Sequence, residues 1–223
     1  MCGRFTLTAD VNSLQETFPW VNIPPEITPR YNIAPTQPVA VVPNDGKNRL
    51  DFYNWGLIPS WAKDPSIGSR MINARSETLA EKPSFRTAFR RRRCLVLTDG
   101  FYEWQKQPDG KTKIPMYIRL RSEKPFAFAG LWEVWDSKDG STILSSTIIT
   151  SAPNDFMRSI HNRMPVILPQ EDYQTWLTPG EGDQDQLSEM LRPYPADQMV
   201  AYPVSTLVNN PRNDLPQCVV PLP

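Results

Sequence analysis

An α+β fold, mainly antiparallel β on a curved sheet or open barrel with a few peripheral helices, is what this sequence predicts. Three observations carry the prediction. Short apolar or alternating runs recur along the chain, turn signals separate several of them, and helical periodicity is confined to four segments. Prolines number 24 among 223 residues in an otherwise globular composition, so they punctuate short elements and do not mark a disordered tract.

In chain order, Gly3-Arg4-Phe5-Thr6-Leu7 reads as the start of a strand. Thr8 to Phe18 is a helix with Val11, Leu14 and Phe18 on one face. Val39 to Val42 and Leu50 to Leu57 are apolar or alternating strands separated by the turn Pro43-Asn44-Asp45-Gly46. Ser84 to Arg93 reads as a short helix with an apolar edge at Phe85 and Phe89. Strands follow at Cys94 to Leu97, Met116 to Leu120, Phe126 to Trp135, Thr142 to Thr150 and Val166 to Leu168, with turns at Pro108-Asp109-Gly110 and Lys138-Asp139-Gly140. Helices are expected at Gln170 to Trp176 and Gln184 to Leu191, joined by an exposed acidic loop from Gly180 to Asp185. No internal repeat or linker interrupts the pattern, so residues 1–223 read as a single domain.

Composition removes several classes of function. Three cysteines at positions 2, 94 and 218 form no C-x-x-C pair, and with one histidine they build no zinc spacing, so neither metal nor cofactor is expected. A sparse, odd cysteine count suits a reducing compartment. No secretory signal is read at Met1 onward and no apolar run approaches the roughly 18 residues that span a bilayer, so a cytoplasmic, membrane-free monomer is the expectation.

The formal net charge is zero, from 24 basic and 24 acidic residues. Its distribution is uneven. Residues 70–93 carry eight basic groups against two acidic, while residues 94–223 carry eleven against sixteen. Arg86 and Arg90 to Arg93 make this island either a solvated helix face or a surface for a polyanion.

Four residues stand out for chemistry. Cys2 follows the initiator methionine directly, so removal of Met1 would place an α-amine and a thiol on adjacent carbons. These groups titrate near about 7.7–8.0 and about 8.5, so both nucleophiles are partly available near neutrality. Such a 1,2-aminothiol can attack an amide as a thiolate served by its own amine, or capture an aldehyde as a Schiff base that the thiol closes to a thiazolidine. His161, the single histidine, has the unperturbed pKa suited to a proton donor, although a lone histidine is more often structural than catalytic. Glu103 lies among aromatics in Phe101-Tyr102-Glu103-Trp104, where burial would raise its pKa, or where it simply faces outward from a strand. Asn73 can present an oxygen and a nitrogen to a reacting group, or serve a turn. Trp55, Trp61 and Trp104 beside Arg4, Arg75 and the arginine run suit unstacked bases and phosphates, or a core.

Six segments together resemble the SOS response-associated peptidase (SRAP) family. They are Met1 to Phe5, Arg30-Tyr31-Asn32-Ile33-Ala34-Pro35, Trp55 to Trp61, Ile72-Asn73-Ala74-Arg75-Ser76-Glu77, Asp99 to Trp104 and His161-Asn162-Arg163-Met164-Pro165. The resemblance runs from Cys2 to about Val208. It implies a sensor of abasic sites in single-stranded DNA that forms a covalent DNA–protein crosslink. Cys2 would be the nucleophile, with Asn73, Glu103 and His161 around it. Glu103 would hold the α-amine and move its proton, His161 would protonate the sugar oxygen, and Asn73 would orient the deoxyribose. Arg4, Arg75 and Arg163 would hold phosphates, while Pro35, Trp61 and Trp104 would stack on or wedge against bases. The resemblance also implies a weak lyase side reaction and self-processing that exposes Cys2. The alternatives are an N-terminal-cysteine amidohydrolase or thiol peptidase acting on a small amide or peptide, and a non-catalytic nucleic-acid-binding barrel.

Overall fold

The computed structural model describes residues 2–223, and its architecture is α+β with the β portion dominant. The first half of the chain supplies β1 (Phe5–Leu7), α1 (Val11–Thr17), β2 (Arg30–Ile33), β3 (Pro38–Pro43), β4 (Asp51–Trp55) and β5 (Asn73–Arg75). Then come α2 (Arg86–Arg91), β6 (Arg93–Thr98), β7 (Gly100–Lys106), β8 (Lys113–Leu120), β9 (Phe126–Asp136) and β10 (Thr142–Ser151). The last third supplies α3 (Asp155–Arg158), β11 (Met164–Pro165), β12 (Ile167–Leu168), α4 (Tyr173–Trp176), α5 (Gln184–Glu189) and β13 (Met199–Pro203).

Five strands close on themselves. β3 pairs with β4 and β6, β6 with β9, β9 with β10, and β10 returns in parallel to β4. Closure removes the edges that an open sheet of this size would present. It needs β9 to pass close to both neighbours, and Gly130 permits that. A Cβ there would lie 2.9 Å from Cys94 Sγ and 3.0 Å from the Thr147 carbonyl oxygen. β6 is buried along its whole length, as a central strand with both faces covered must be.

The second sheet, β13-β8-β7-β1-β2, is antiparallel throughout and packs on the barrel through aromatic rings. Phe5 from β1 meets Trp55 of β4 edge-on at 5.0 Å between centroids and Phe128 of β9 at 5.8 Å. One core cluster runs from Cys2 to Met199, and a smaller one gathers Tyr102, Tyr117, Val204, Val208 and Cys218 beneath the second sheet. α1 begins at Asp10, whose carboxylate accepts from Ser13 N at 2.8 Å, and so starts later than periodicity from Thr8 suggests.

The arginine run divides. The predicted helix over Ser84 to Arg93 is regular only from Arg86 to Arg91. Arg92 leaves it to pair with Glu133 at 2.7 Å. Arg93 opens β6 with its guanidinium buried, donating to the carbonyls of Trp176, Phe89, Arg90 and Thr178. Arg93 therefore does not belong to an exposed arginine face. Satisfying four backbone acceptors in the interior outweighs solvating one charge.

Candidate functional site

Cys2 leads directly into β1 and is fully buried. Pairing of Phe5 with Phe101 and with Ile33 fixes the strand between β7 and β2, so the cysteine is held at the junction of the two sheets. Asn73 reaches it from the barrel. Its strand β5 lies parallel to β10, and the Trp55 indole donates to the Ile72 carbonyl at 2.8 Å, which fixes the preceding residue. Asn73 Nδ2 then donates to the Cys2 carbonyl at 2.7 Å. Its Oδ1 is buried with no hydrogen-bond partner among the described residues.

Glu103 projects from β7, opposite Met116 of β8, and is only 3% exposed. Burial raises its pKa to about 7, partly offset by the Trp104 N–H and the Lys113 ammonium. Burial and the nearby Glu103 carboxylate together push the Cys2 thiol well above its ordinary range. His161 Nε2 lies 3.8 Å from Glu103 Oε2, beyond a direct hydrogen bond but within charge-pairing distance.

The imidazole is oriented from behind. His161 Nδ1 lies 3.1 Å from Arg163 N and 3.2 Å from Arg163 O, so the Arg163 backbone holds that edge of the ring and leaves Nε2 toward Glu103. Burial lowers its pKa, so the ring is neutral at pH 7. Met157 O accepts from His161 N at 2.8 Å, and Gln105 of β7 donates to Ser159 O at 3.0 Å, binding the histidine loop to Glu103's own strand. The group can thus hold a nucleophile, position an acceptor beside it and move a proton near neutral pH.

The chain as a whole has counterparts among known proteins. Residues 1–211 match the family described as SOS response associated peptidase (SRAP). The chain belongs to the SRAP family. Among SRAP relatives, it is 51% identical over 222 residues to abasic site processing protein YoqW of Bacillus subtilis (strain 168), covering 98% of this chain and 99% of that one. Against abasic site processing protein HMCES of Xenopus tropicalis it is 36% identical over 191 residues, covering 76% of this chain and 56% of that one. A crystal structure of a protein from Bacteroides thetaiotaomicron superposes with a TM-score of 0.88 at 27% identity, covering 99% of this chain and all of the other.

Within this SRAP fold the remaining residues singled out in the sequence occupy different settings. Arg4 Nη1 donates to Asn32 Oδ1 at 2.8 Å and to Val208 O at 2.7 Å, and its guanidinium lies 5.8 Å from the Trp104 ring centre. Trp104 in turn donates to Asn209 Oδ1 at 2.7 Å. Arg163 is engaged inside the protein: it forks onto Glu77 at 2.5 and 3.0 Å and donates to Thr150 O at 2.6 Å. That bridge joins the histidine loop to the segment just after Asn73. Arg75 is exposed, Pro35 is half-buried beside Thr36 with φ of 71°, and Trp61 is 59% exposed.

Sequence reasoning missed the residues that hold these groups in place. Asn32 is buried and bonds Arg4 and the carbonyls of Val208, Asn210 and Asn213. Asp214 accepts from Tyr31 N at 2.5 Å and Asn32 N at 2.9 Å, and pairs with Arg30. Asp99 accepts from Thr6, from both Thr8 donors and from Ala9 N, anchoring the exit of β1. Glu77 and Asp99 fell inside the diagnostic segments without being assigned a task. Asp214 lies past residue 211 and had no sequence signal, because its partners are about 180 residues away.

Proposed function

We propose that this chain processes abasic sites in single-stranded DNA by covalent capture at Cys2. The observation that carries the reading is the convergence of Asn73 on the Cys2 carbonyl at 2.7 Å beside the Glu103–His161 pair at 3.8 Å. The names of the SRAP relatives YoqW and HMCES, both abasic site processing proteins, support it. Removal of Met1, which lies outside the described residues, is part of the proposal because the reaction needs a free α-amine.

The opened deoxyribose presents an aldehyde. The Cys2 amine adds to its carbon, water leaves, and an imine forms. The thiol then adds to the imine carbon as its proton passes to the imine nitrogen, closing a thiazolidine. The net change is loss of one water and no oxidation. A thiol kept protonated by its buried setting suits this order, since it arrives with the proton that the nitrogen needs. Glu103, poised near neutrality, takes the proton that frees the amine and returns one to the departing hydroxyl. His161, whose Nε2 lies on the Glu103 side, protonates the sugar oxygen during ring opening, and Asn73 Oδ1 offers an acceptor to the sugar or the amine.

The imine also permits β-elimination, so a slow lyase reaction belongs to the same proposal, as does self-processing that exposes Cys2. The amidohydrolase alternative predicts release of ammonia or peptide with no DNA adduct. A non-catalytic nucleic-acid-binding barrel would be indifferent to Cys2.

Incubation with an abasic single-stranded oligonucleotide is expected to yield a species whose intact mass equals the chain without Met1 plus the DNA minus one water. Cys2→Ala should give no stable adduct on a denaturing gel. A Cys2→Ala protein that crosslinks as fast and as durably as the parent would overturn the assignment.

A further inference from the structure

With Arg92 paired to Glu133 and Arg93 buried on carbonyls, the exposed arginines of α2 are Arg86, Arg90 and Arg91. They line two depressions that share Arg86 and Thr87. One, of about 310 Å³, ends at the exposed Trp61. The other, of about 520 Å³, ends at Arg90, Arg91 and Gln184. Together they make one track from an open indole to a pair of guanidiniums.

The far end of that track already holds an anion. Glu181 bridges the pair, one carboxylate oxygen meeting Arg90 and the other accepting from Arg91 Nη2 at 2.9 Å and Nε at 3.2 Å. Its backbone is seated firmly: Gly182 N donates to Arg90 O at 2.9 Å, and Arg93 Nη2 donates to Thr178 O at 2.7 Å. Gly182 permits this close approach, since a Cβ there would lie 2.7 Å from Leu187 Cδ1 and 3.2 Å from the Arg93 guanidinium. The Glu181 side chain itself is 40% exposed. It can therefore rotate away while the loop stays in place.

We propose that α2 is a phosphate-binding track for the single strand flanking the lesion, and that Glu181 is an intramolecular competitor which the strand displaces. This rests on the DNA reading above and extends it to a regulated surface. A carboxylate set between two guanidiniums stands where a phosphate would be gripped, because both anions present paired oxygens to the same fork of donors. Exposed ion pairs of this kind are weak, so a polyanion that also stacks on Trp61 exchanges for Glu181 readily. A short or isolated anion lacks the second contact. Glu181 thereby sets a threshold that favours strands long enough to reach both ends of the track.

The test uses the full chain and an undamaged oligothymidylate, so that no crosslinking enters the measurement. Affinity is read by fluorescence anisotropy across a salt series, and thermal melts check that each variant keeps the fold. Glu181→Gln is expected to tighten binding several-fold. Arg90→Gln with Arg91→Gln is expected to weaken binding and to reduce the slope of log affinity against log salt by about 1.4, from about 0.7 per single-strand phosphate contact. An unchanged affinity for Glu181→Gln, an unchanged slope for the arginine pair, or no binding by the parent overturns the track. A parent that binds and responds to Glu181→Gln yet forms no adduct with abasic DNA leaves the track standing and sinks the capture reading.

Discussion

At the scale of single residues, Glu103 governs how this protein should respond to pH. Its ordinary value is 4.5 and burial raises it to about 7. Between those values the folded chain holds a proton that the unfolded chain releases. The contribution of the neutral buried acid is therefore complete below pH 4.5 and lost as pH rises through about 7. An offset of this size corresponds to on the order of 3 kcal/mol. His161 acts in the opposite sense: its depressed pKa gives a contribution present above its ordinary 6.5 and lost as pH falls. Glu103→Gln, which cannot ionise, is expected to be more stable than the parent at pH 8 by up to that amount, with the gap closing below pH 5. Urea titrations at the two pH values check this, and an equal gap at both would show that ionisation of Glu103 carries no such cost. The same variant should lose a rise in adduct rate centred near pH 7, followed by quenched time courses on gels, while intact-strand binding persists.

Individual elements are tuned by how closely they pass one another. β9 is the strand that closes the barrel, and its Ala127, Ala129 and Gly130 leave room for β6 and β10 on either side. Gly130→Ala would press a methyl against Cys94 Sγ and Val96 Cγ2, each 2.9 Å away, and the Thr147 carbonyl. Two of those neighbours are fully buried side chains and one is backbone, so little can yield. The expected loss is about 1–3 kcal/mol, read as a lower midpoint in urea at unchanged slope. A variant as stable as the parent would mean that the ring of strands is looser at this crossing than its geometry indicates. The same crowding explains why the arginine run breaks at Arg92: the chain must leave α2 and enter β6 within two residues, and the interior carbonyls there need donors.

For the molecule as a whole, the segment from 204 to 219 ties the second sheet to the site. Val208 O and Asn209 Oδ1 hold Arg4 and Trp104, and Asp214 holds the backbone of Tyr31 and Asn32 together with the Arg30 guanidinium. Asp214→Ala removes the acceptor of two backbone N–H groups and of Arg30 Nε, while Arg30 Nη2 keeps Gln37, at an expected cost of about 2 kcal/mol. The consequence should reach the DNA side as well. Half-saturation of adduct formation with abasic strand is expected to rise in Asp214→Ala, because Arg4 and Trp104 lose their backing. A variant with parental stability and parental half-saturation would remove this segment from any supporting role.

Much of this protein is legible in one dimension. Alternation and turn chemistry located β3, β4, β6, β8, β9 and β10, since half-buried and buried strands write their faces into neighbouring residues. β2, β5, β7, β11 and β13 were not among the predicted strands; β2, β5 and β11 are only two to four residues long, and all five are set by partners elsewhere in the chain. Residue chemistry and ordered motifs single out Cys2, Asn73, Glu103 and His161 as candidates. That Asn73 reaches the Cys2 carbonyl, that Glu103 is buried enough to titrate near 7, and that Arg163 serves Glu77 were decided by the tertiary structure. The physical reason is the same in each case. Residue type sets what a group can do, whereas burial and the approach of partners dozens to hundreds of positions away set its charge, its orientation and what it is free to bind.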